Sequence, residues 1–189
     1  MIRPRDETRR DELLAAAFDH AATHGLATLS LRPLARAIGT SDRMLVHYFG
    51  TKDELIAQML DRGKPSVDGL LAASPDLTPG ALAHHLWAQM TGDGQQAPRV
   101  RLMLEAMALA LHQPTKYAHV AATAHRGWIE PVTDALARAL DVGHSDAAAR
   151  ATLLVSGLKG LALDVFVTGD RARADAAATL LIDAATRGQ

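Results

Sequence analysis

The chain has 189 residues, 48% of them hydrophobic, enough for one domain of ordinary size or two small ones around a packed core. Aromatics make up only 4%, β-branched runs are short, and Ala and Leu abound, which favours helix almost throughout and an all-α fold. The lack of Cys excludes disulfides and thiolate metal sites, and a net charge of −1 excludes an overall basic excess, so any nucleic-acid function must show locally.

No leader with a charged start, an apolar middle and a small-residue cleavage site opens the chain, so a cytoplasmic location is the expectation. Thr8 to about His24 carries Leu14, Ala17, Phe18 and Ala21 at the 3,4 spacing of an amphipathic helix, with Gly25 placed to end it. Ser30 is the expected cap of a short helix over about Leu31–Ile38, in which Pro33 is tolerable because the first turn has no intrahelical donor to lose. Leu34 and Ile38 form its apolar face, Ala35 is small where two axes must approach, and Gly39 supplies the left-handed backbone that reverses the chain. Ser41 then caps a second short helix from about Asp42 to Tyr48. Its inward positions are Leu45, Tyr48 and Phe49, and its outward ones Asp42, Arg43, Met44 and His47. For Tyr48, donation to a phosphate and a core position with only the hydroxyl exposed are equal alternatives. Thr51 followed by Glu54 reads as a capping box opening a further helix, which Leu55, Ile56, Met59 and Leu60 continue to about Gly63.

Two short helices hinged at a glycine, followed by a third held at its start, have the layout of a helix-turn-helix DNA reader. The strings Leu26-x-x-Leu29-Ser30-Leu31, Leu34-Ala35-x-x-Ile38-Gly39-x-Ser41 and His47-Tyr48-Phe49-Gly50-x-Lys52-Asp53-Glu54-Leu55 resemble the N-terminal domain of TetR-family transcriptional regulators. The resemblance implies a three-helix DNA-binding domain over residues 1–63, with 52–63 as a connector helix, and a helical effector-binding and dimerisation domain over 64–189, about nine helices in all. It also implies backbone contacts to DNA at His47, Tyr48 and Lys52. The tyrosine common in the family at the place of Val46 is absent, so no contact is carried over there.

The residues themselves suggest further roles. Arg43 suits guanine O6 and N7, Asp42 a cytosine N4 donor, and Lys52 a phosphate beside free helix-start amides, while Thr28 and Arg32 suit backbone contacts from the other side. Ser41 and Met44 complete the candidate DNA surface. From Met1 to Lys52 eight bases stand against six acids. The first-helix charges fit solvated i,i+4 partnering around Glu7, Arg10 and Asp11 equally well.

Gly63-Lys64-Pro65-Ser66 and Ser74-Pro75-Asp76 break the helical pattern, which puts the domain boundary near 63–77. Helices are expected near Pro79–Met90, near Pro98–His112 after a Gly-Asp-Gly loop at 92–94, from about Thr115 to Leu140 with a kink at Pro131, near Asp146–Thr168, and at Arg171–Arg187. The run Ala151–Val167 is apolar enough to raise a membrane span. Lys159 and Asp164 lie inside it, however, and each would cost roughly 3 kcal/mol near a bilayer centre, so no membrane is expected. A helix apolar on nearly every side must be buried; Gly157 and Gly160 allow close approach, and the last helix, with Ala174, Ala178 and Ile182, can join it. Two copies of that pair would make a four-helix homodimer interface, the alternative being an internal core helix of a monomer.

Trp87, Met90, Met103, Met107, Leu111, Tyr117, Trp128 and Val132 lie on three successive helices, large adaptable side chains that line a pocket or fill a core. The family resemblance tips this region towards a pocket for a small, largely apolar effector, with Glu105, His112 and His125 as candidate polar fixtures. His20 and His24 share a helix face, and His84, His85, His112, His119 and His125 populate the second domain, but no third ligand stands with them and no metal is expected. Ser156-Gly157 sits in an apolar helix rather than a nucleophile elbow, and no phosphate loop follows a strand, so neither an enzyme nor a cofactor is expected. The reading is a DNA-binding regulator, a ligand-responsive repressor that engages a palindromic double-stranded operator as a homodimer. An effector-independent DNA-binding protein, or a helical carrier or enzyme retaining the reader as scaffold, are the alternatives.

Overall fold

A computed structural model of the chain describes residues 4–62, 69–70, 74, 77–92 and 96–187, which form nine α-helices and no strand. They are α1 (Pro4–His24), α2 (Leu31–Ala37), α3 (Asp42–Phe49), α4 (Lys52–Arg62), α5 (Pro79–Thr91), α6 (Gln96–His112), α7 (Pro114–Leu140), α8 (His144–Thr168) and α9 (Arg171–Thr186). Residues 63–66 and 75–76 of the expected boundary, and Asp93 and Gly94 of the expected loop, lie outside the described residues. Helix α1 starts earlier than its apolar stripe suggests. Pro4 has a preset φ for a first helical position, and Asp6 and Glu7 in the first turn oppose the positive end of the helix dipole. Pro131 lies inside the unbroken span of α7.

The chain divides into two compact units, Met1–Gly63 with Arg101–Ala124, and Lys64–Val100 with His125–Gln189, so the expected 64–189 domain is shared between them. In the first unit α1 packs on α2 and α4, α2 on α3, and α3 on α4. Leu13, Ala17, Leu34, Leu45, Leu55 and Ile56 are buried at the centre of this set, and Met103 and Tyr117 are buried in the 101–124 part. Fully burying a Leu or Phe side chain is worth about 1.5–3 kcal/mol, so Leu45 and Phe49 suffice to hold a helix as short as α3 on its neighbours.

The turns are fixed by local chemistry. Gly25 closes α1 at φ +81°, and the main-chain N–H groups of Leu26 and Ala27 beyond it both donate to Glu105 Oε1, at 2.8 and 2.9 Å. Gly39 reverses the chain at φ +70°, where Thr40 N donates to Ala35 O at 2.8 Å. Ser30 takes the cap position of α2, but its hydroxyl accepts no capping bond. The third helical residue is Pro33, which has no N–H to donate to it.

In the second unit α9 packs along α8 and against α5, and α5 also meets α8. A Cβ at Gly157 would run into Leu181, so this glycine permits the close approach of α8 and α9, whereas Gly160 is exposed with nothing beside it. Trp87 Nε1 donates to Asp175 Oδ1 at 2.7 Å, and an Arg171 guanidinium nitrogen donates to Thr91 O at 2.7 Å, tying α5 to α9. By length and composition α8 could cross a bilayer. Its Ala147, Ala151, Leu154 and Leu158 are instead buried within the unit, while Leu153, Leu163 and Val167 remain exposed at 50%, 49% and 76%.

Candidate nucleic-acid interface

Helices α2, α3 and α4 all begin beside one open groove of about 600 Å3, lined by Leu29, Ser30, Leu31, Arg32, Asp42, Arg43, Val46 and Lys52. Helix starts carry the positive end of the dipole, so their gathering adds to the three cations here. Four residues named from sequence, Arg32, Asp42, Arg43 and Lys52, are thereby brought to one place from three elements.

Helix α3 is set by its cap and by two anchors. Ser41 Oγ accepts from Met44 N at 3.2 Å, as its position in the sequence indicates, and Leu45 and Phe49 are buried. That fixes the rotation of the helix and leaves Asp42, Arg43, Met44, Val46 and His47 exposed. Tyr48 is half-buried, its ring 5.2 Å from that of His47 and 6.2 Å from that of Phe49, so it is neither a full core residue nor fully outside. Asp42 Oδ1 accepts from Arg43 N at 3.0 Å, which turns this carboxylate onto the first turn of its own helix.

Val46 was not singled out from sequence as a contact residue. It is 51% exposed and lines the groove, and an exposed branched side chain at such a place can meet a thymine methyl. The signal was its spacing, three residues after Arg43 on the outward face. Thr28 is exposed on the α1–α2 turn, where its hydroxyl donates to His24 O at 3.5 Å.

Helix α4 opens with the expected reciprocal cap: Thr51 N donates to Glu54 Oε2 at 2.6 Å and Glu54 N to Thr51 Oγ1 at 3.2 Å. Hydrogen bonding to the Thr51 N–H first, and to its side chain, holds the Glu54 carboxyl below its ordinary range. Lys52 Nζ donates to the Leu29 carbonyl, which seats the ammonium on the groove wall. The α1 charges have structural duties: Arg10 bonds Gln58 Oε1 and lies 5.4 Å from the centre of the Phe49 ring, and Arg9 pairs with Glu12 at 3.2 Å. His20 and His24 stack at 4.2 Å, and among the described residues no group of three or more His, Asp or Glu is placed to hold a metal.

The residues expected around an effector separate. Met103, Met107, Leu111 and Tyr117 belong to the first unit, and Trp87, Met90, His125, Trp128 and Val132 to the second. Leu111 is 81% exposed and so does not line an interior pocket. Residues spaced by four drift about 40° around a helix at each step, so the stripe from buried Met103 through half-buried Met107 has rotated about 80° by Leu111. Glu105 is engaged by the α1–α2 turn and His112 is exposed, which corrects their assignment as polar fixtures of a pocket. Trp87, Met90, Trp128 and Val132 are buried in the second unit.

Residues 13–59 match the profile of the bacterial regulatory proteins of the tetR family, and residues 79–187 that of the C-terminal part of BetI-type transcriptional repressors. The chain belongs to the TetR family. As a member it is a DNA-binding transcriptional regulator, from a family of regulators rather than enzymes. Among solved structures, this TetR-family protein is similar to a transcriptional regulator from Rhodococcus sp. Rha1, with 26% identity, a TM-score of 0.67, and coverage of 93% of this chain and 94% of that one. It is also similar to the multidrug binding protein EbrR complexed with proflavin, at 28% identity and TM-score 0.60 over 92% and 99% of the two chains. A TetR transcriptional regulator from Legionella pneumophila shares the fold, with 15% identity and TM-score 0.74 over 99% of each chain. No curated protein sequence matches the chain significantly.

Proposed function

We propose that this TetR-family regulator is a ligand-responsive repressor that binds a palindromic operator as a homodimer, with residues 1–63 as reader, 52–63 as connector, and 64–189 as effector-binding and dimerisation domain. The observation that supports the reader most directly is the groove at which three helix starts and the side chains of Arg32, Arg43 and Lys52 meet. In this reading α3 enters the major groove. Arg43 takes a guanine edge, Val46 and Met44 meet apolar base surface, and Arg32, Thr28, His47, Tyr48 and Lys52 hold phosphates, with Ser41 and Asp42 framing the helix start.

Dimerisation would run through α8 and α9. Leu153, Leu163 and Val167 of α8 and Leu180 of α9 are left exposed in a single chain, and exposed Gly160 lies among the first three with space for a second helix. The relative EbrR, whose structure is known with proflavin, supports a small-molecule effector for this chain. Effector binding would shift α4 and change the separation of the two recognition helices, and coupling of about 1–3 kcal/mol is enough for a 5- to 150-fold loss of operator affinity.

Selection of bound duplexes from a random pool tests reader, symmetry and spacing together. Inverted half-sites about one helical turn apart, or a multiple of it, are expected. Arg43→Ala should relax choice at one base pair at a cost of about 1–3 kcal/mol, while Lys52→Ala should weaken all duplexes alike and lower the salt slope by about 1. Unstructured selection, or unchanged specificity in Arg43→Ala, would refute the assignment.

A further inference from the structure

Lys159 lies in the middle of α8, only 3% exposed, between Val155, Leu158 and Ala162, which are buried on the same helix. Its Nζ meets His125 Nδ1 at 2.9 Å and stands 4.8 Å from the centre of the Trp128 ring. No carboxylate among the described residues pairs with it. The nearest acid along α8, Asp164, is 2.8 Å from an Arg173 guanidinium nitrogen. A buried ammonium without an anion is costly, and one imidazole nitrogen satisfies only one of its three N–H donors. The charge raises the same demand on both sides: burial pushes Lys159 down to about 8, and burial and then the Lys159 charge hold His125 below its ordinary value, so the imidazole stays a neutral acceptor near neutral pH.

A second donor beside it is also unmatched. Trp128 is 4% exposed and its Nε1–H has no acceptor among the described residues. Buried indole N–H groups almost always find one, and leaving it bare is unfavourable by the full cost of its desolvation. An ammonium over the indole ring and an N–H on that same ring, both short of acceptors in an apolar setting, call for an oxygen-rich anion rather than for more packing. An aromatic face near the ammonium also favours a flat apolar body on the ligand.

We infer that the second unit holds a binding site for an apolar or aromatic carboxylate, whose oxygens accept from Lys159 Nζ and Trp128 Nε1, with His125 orienting the lysine. The inference rests on the effector reading above and narrows it. It sets this protein apart from a relative that holds proflavin, an aromatic cation, since an ammonium that pairs with no acid among the described residues repels a cationic guest.

The test is calorimetric titration of the full-length protein with three probes of one shape, 1-naphthoate, 1-naphthamide and 1-naphthylmethylammonium. The carboxylate should bind at least tenfold tighter than the ammonium, with the amide between them. Lys159→Met should weaken the carboxylate at least tenfold, and Lys159→Arg should restore most of the loss. Equal or tighter binding of the ammonium by the native protein overturns the inference without any variant, and leaves the effector reading intact. Carboxylate binding that Lys159→Met does not move likewise overturns it. If none of the three probes binds or raises the melting temperature, the effector reading itself falls, and the site with it.

Discussion

Replacing Lys159 by Met isolates the cost of the buried ammonium, because Met keeps the length and volume of the stem and removes the charge. In the unfolded chain the lysine holds its proton up to about pH 10.5, whereas in the folded protein it gives it up near 8. The proton is therefore bound more weakly in the native state, and the native ammonium is destabilised by about 3 kcal/mol relative to the neutral amine. Above pH 10.5 both states are neutral and the penalty is absent. As pH falls from 10.5 to 8 the unfolded chain takes up a proton that the native protein resists, and stability drops; below 8 the full penalty is present and constant. At pH 7.5 the hydrogen bond to His125 and the contact with Trp128 offset part of it, so Lys159→Met should be more stable than the native protein by about 1–3 kcal/mol. Urea denaturation of both proteins, followed by circular dichroism at intervals from pH 7.5 to 10.5, gives the difference directly; His125, which feels the Lys159 charge, is held below its ordinary value and is already neutral over that range, and the other titrating groups cancel. The advantage of Lys159→Met should shrink by about 3 kcal/mol across that range. A difference that stays flat with pH, or grows, would refute the reasoning.

Three more outcomes follow from the fold. Glu105→Ala strips the acceptor from two main-chain N–H groups and should lower stability by about 2–3 kcal/mol, with Glu105→Gln losing less, as read by thermal melting. Gly39→Ala and Gly25→Ala each place a side chain at positive φ, at about 1–2 kcal/mol; the new Cβ at residue 39 meets open space, but at residue 25 it falls 3.0 Å from Glu105 Oε1, so Gly25→Ala should be the worse and Glu105→Ala should narrow the gap. Leu163→Arg puts a charge in the exposed apolar face of α8 and should halve the mass measured by light scattering while leaving helicity unchanged. A dimer that persists would displace the proposed interface.

The reader was legible because its determinants are short-range. Ser41 bonds Met44, Thr51 bonds Glu54, and Gly39 needs no partner at all, so no decision reaches beyond four consecutive residues. The features that escaped are those whose partners are distant in the chain. Glu105 meets a turn 78 and 79 residues earlier, and Lys52 meets a carbonyl 23 residues back, where side-chain pattern gives no hint of a main-chain acceptor or donor. Met103, Met107 and Leu111 are alike as large adaptable side chains of one helix, and residue type alone does not register the drift that carries the last of them into solvent. Lys159 figured only as an argument against a membrane span; a lone cation in an apolar helix was the available signal for a polar site. Val46 escaped because a valine at an outward position carries no charge to mark it.

The Glu105 clasp has a bearing on chimeras. Its partners are peptide N–H groups, present in every residue but proline, and it asks of the turn only a left-handed residue such as Gly25 at the end of α1. Grafting a foreign reader onto this scaffold should therefore leave the fastening intact whatever its base preference, provided the incoming segment ends its first helix on glycine and keeps proline out of the two positions that follow.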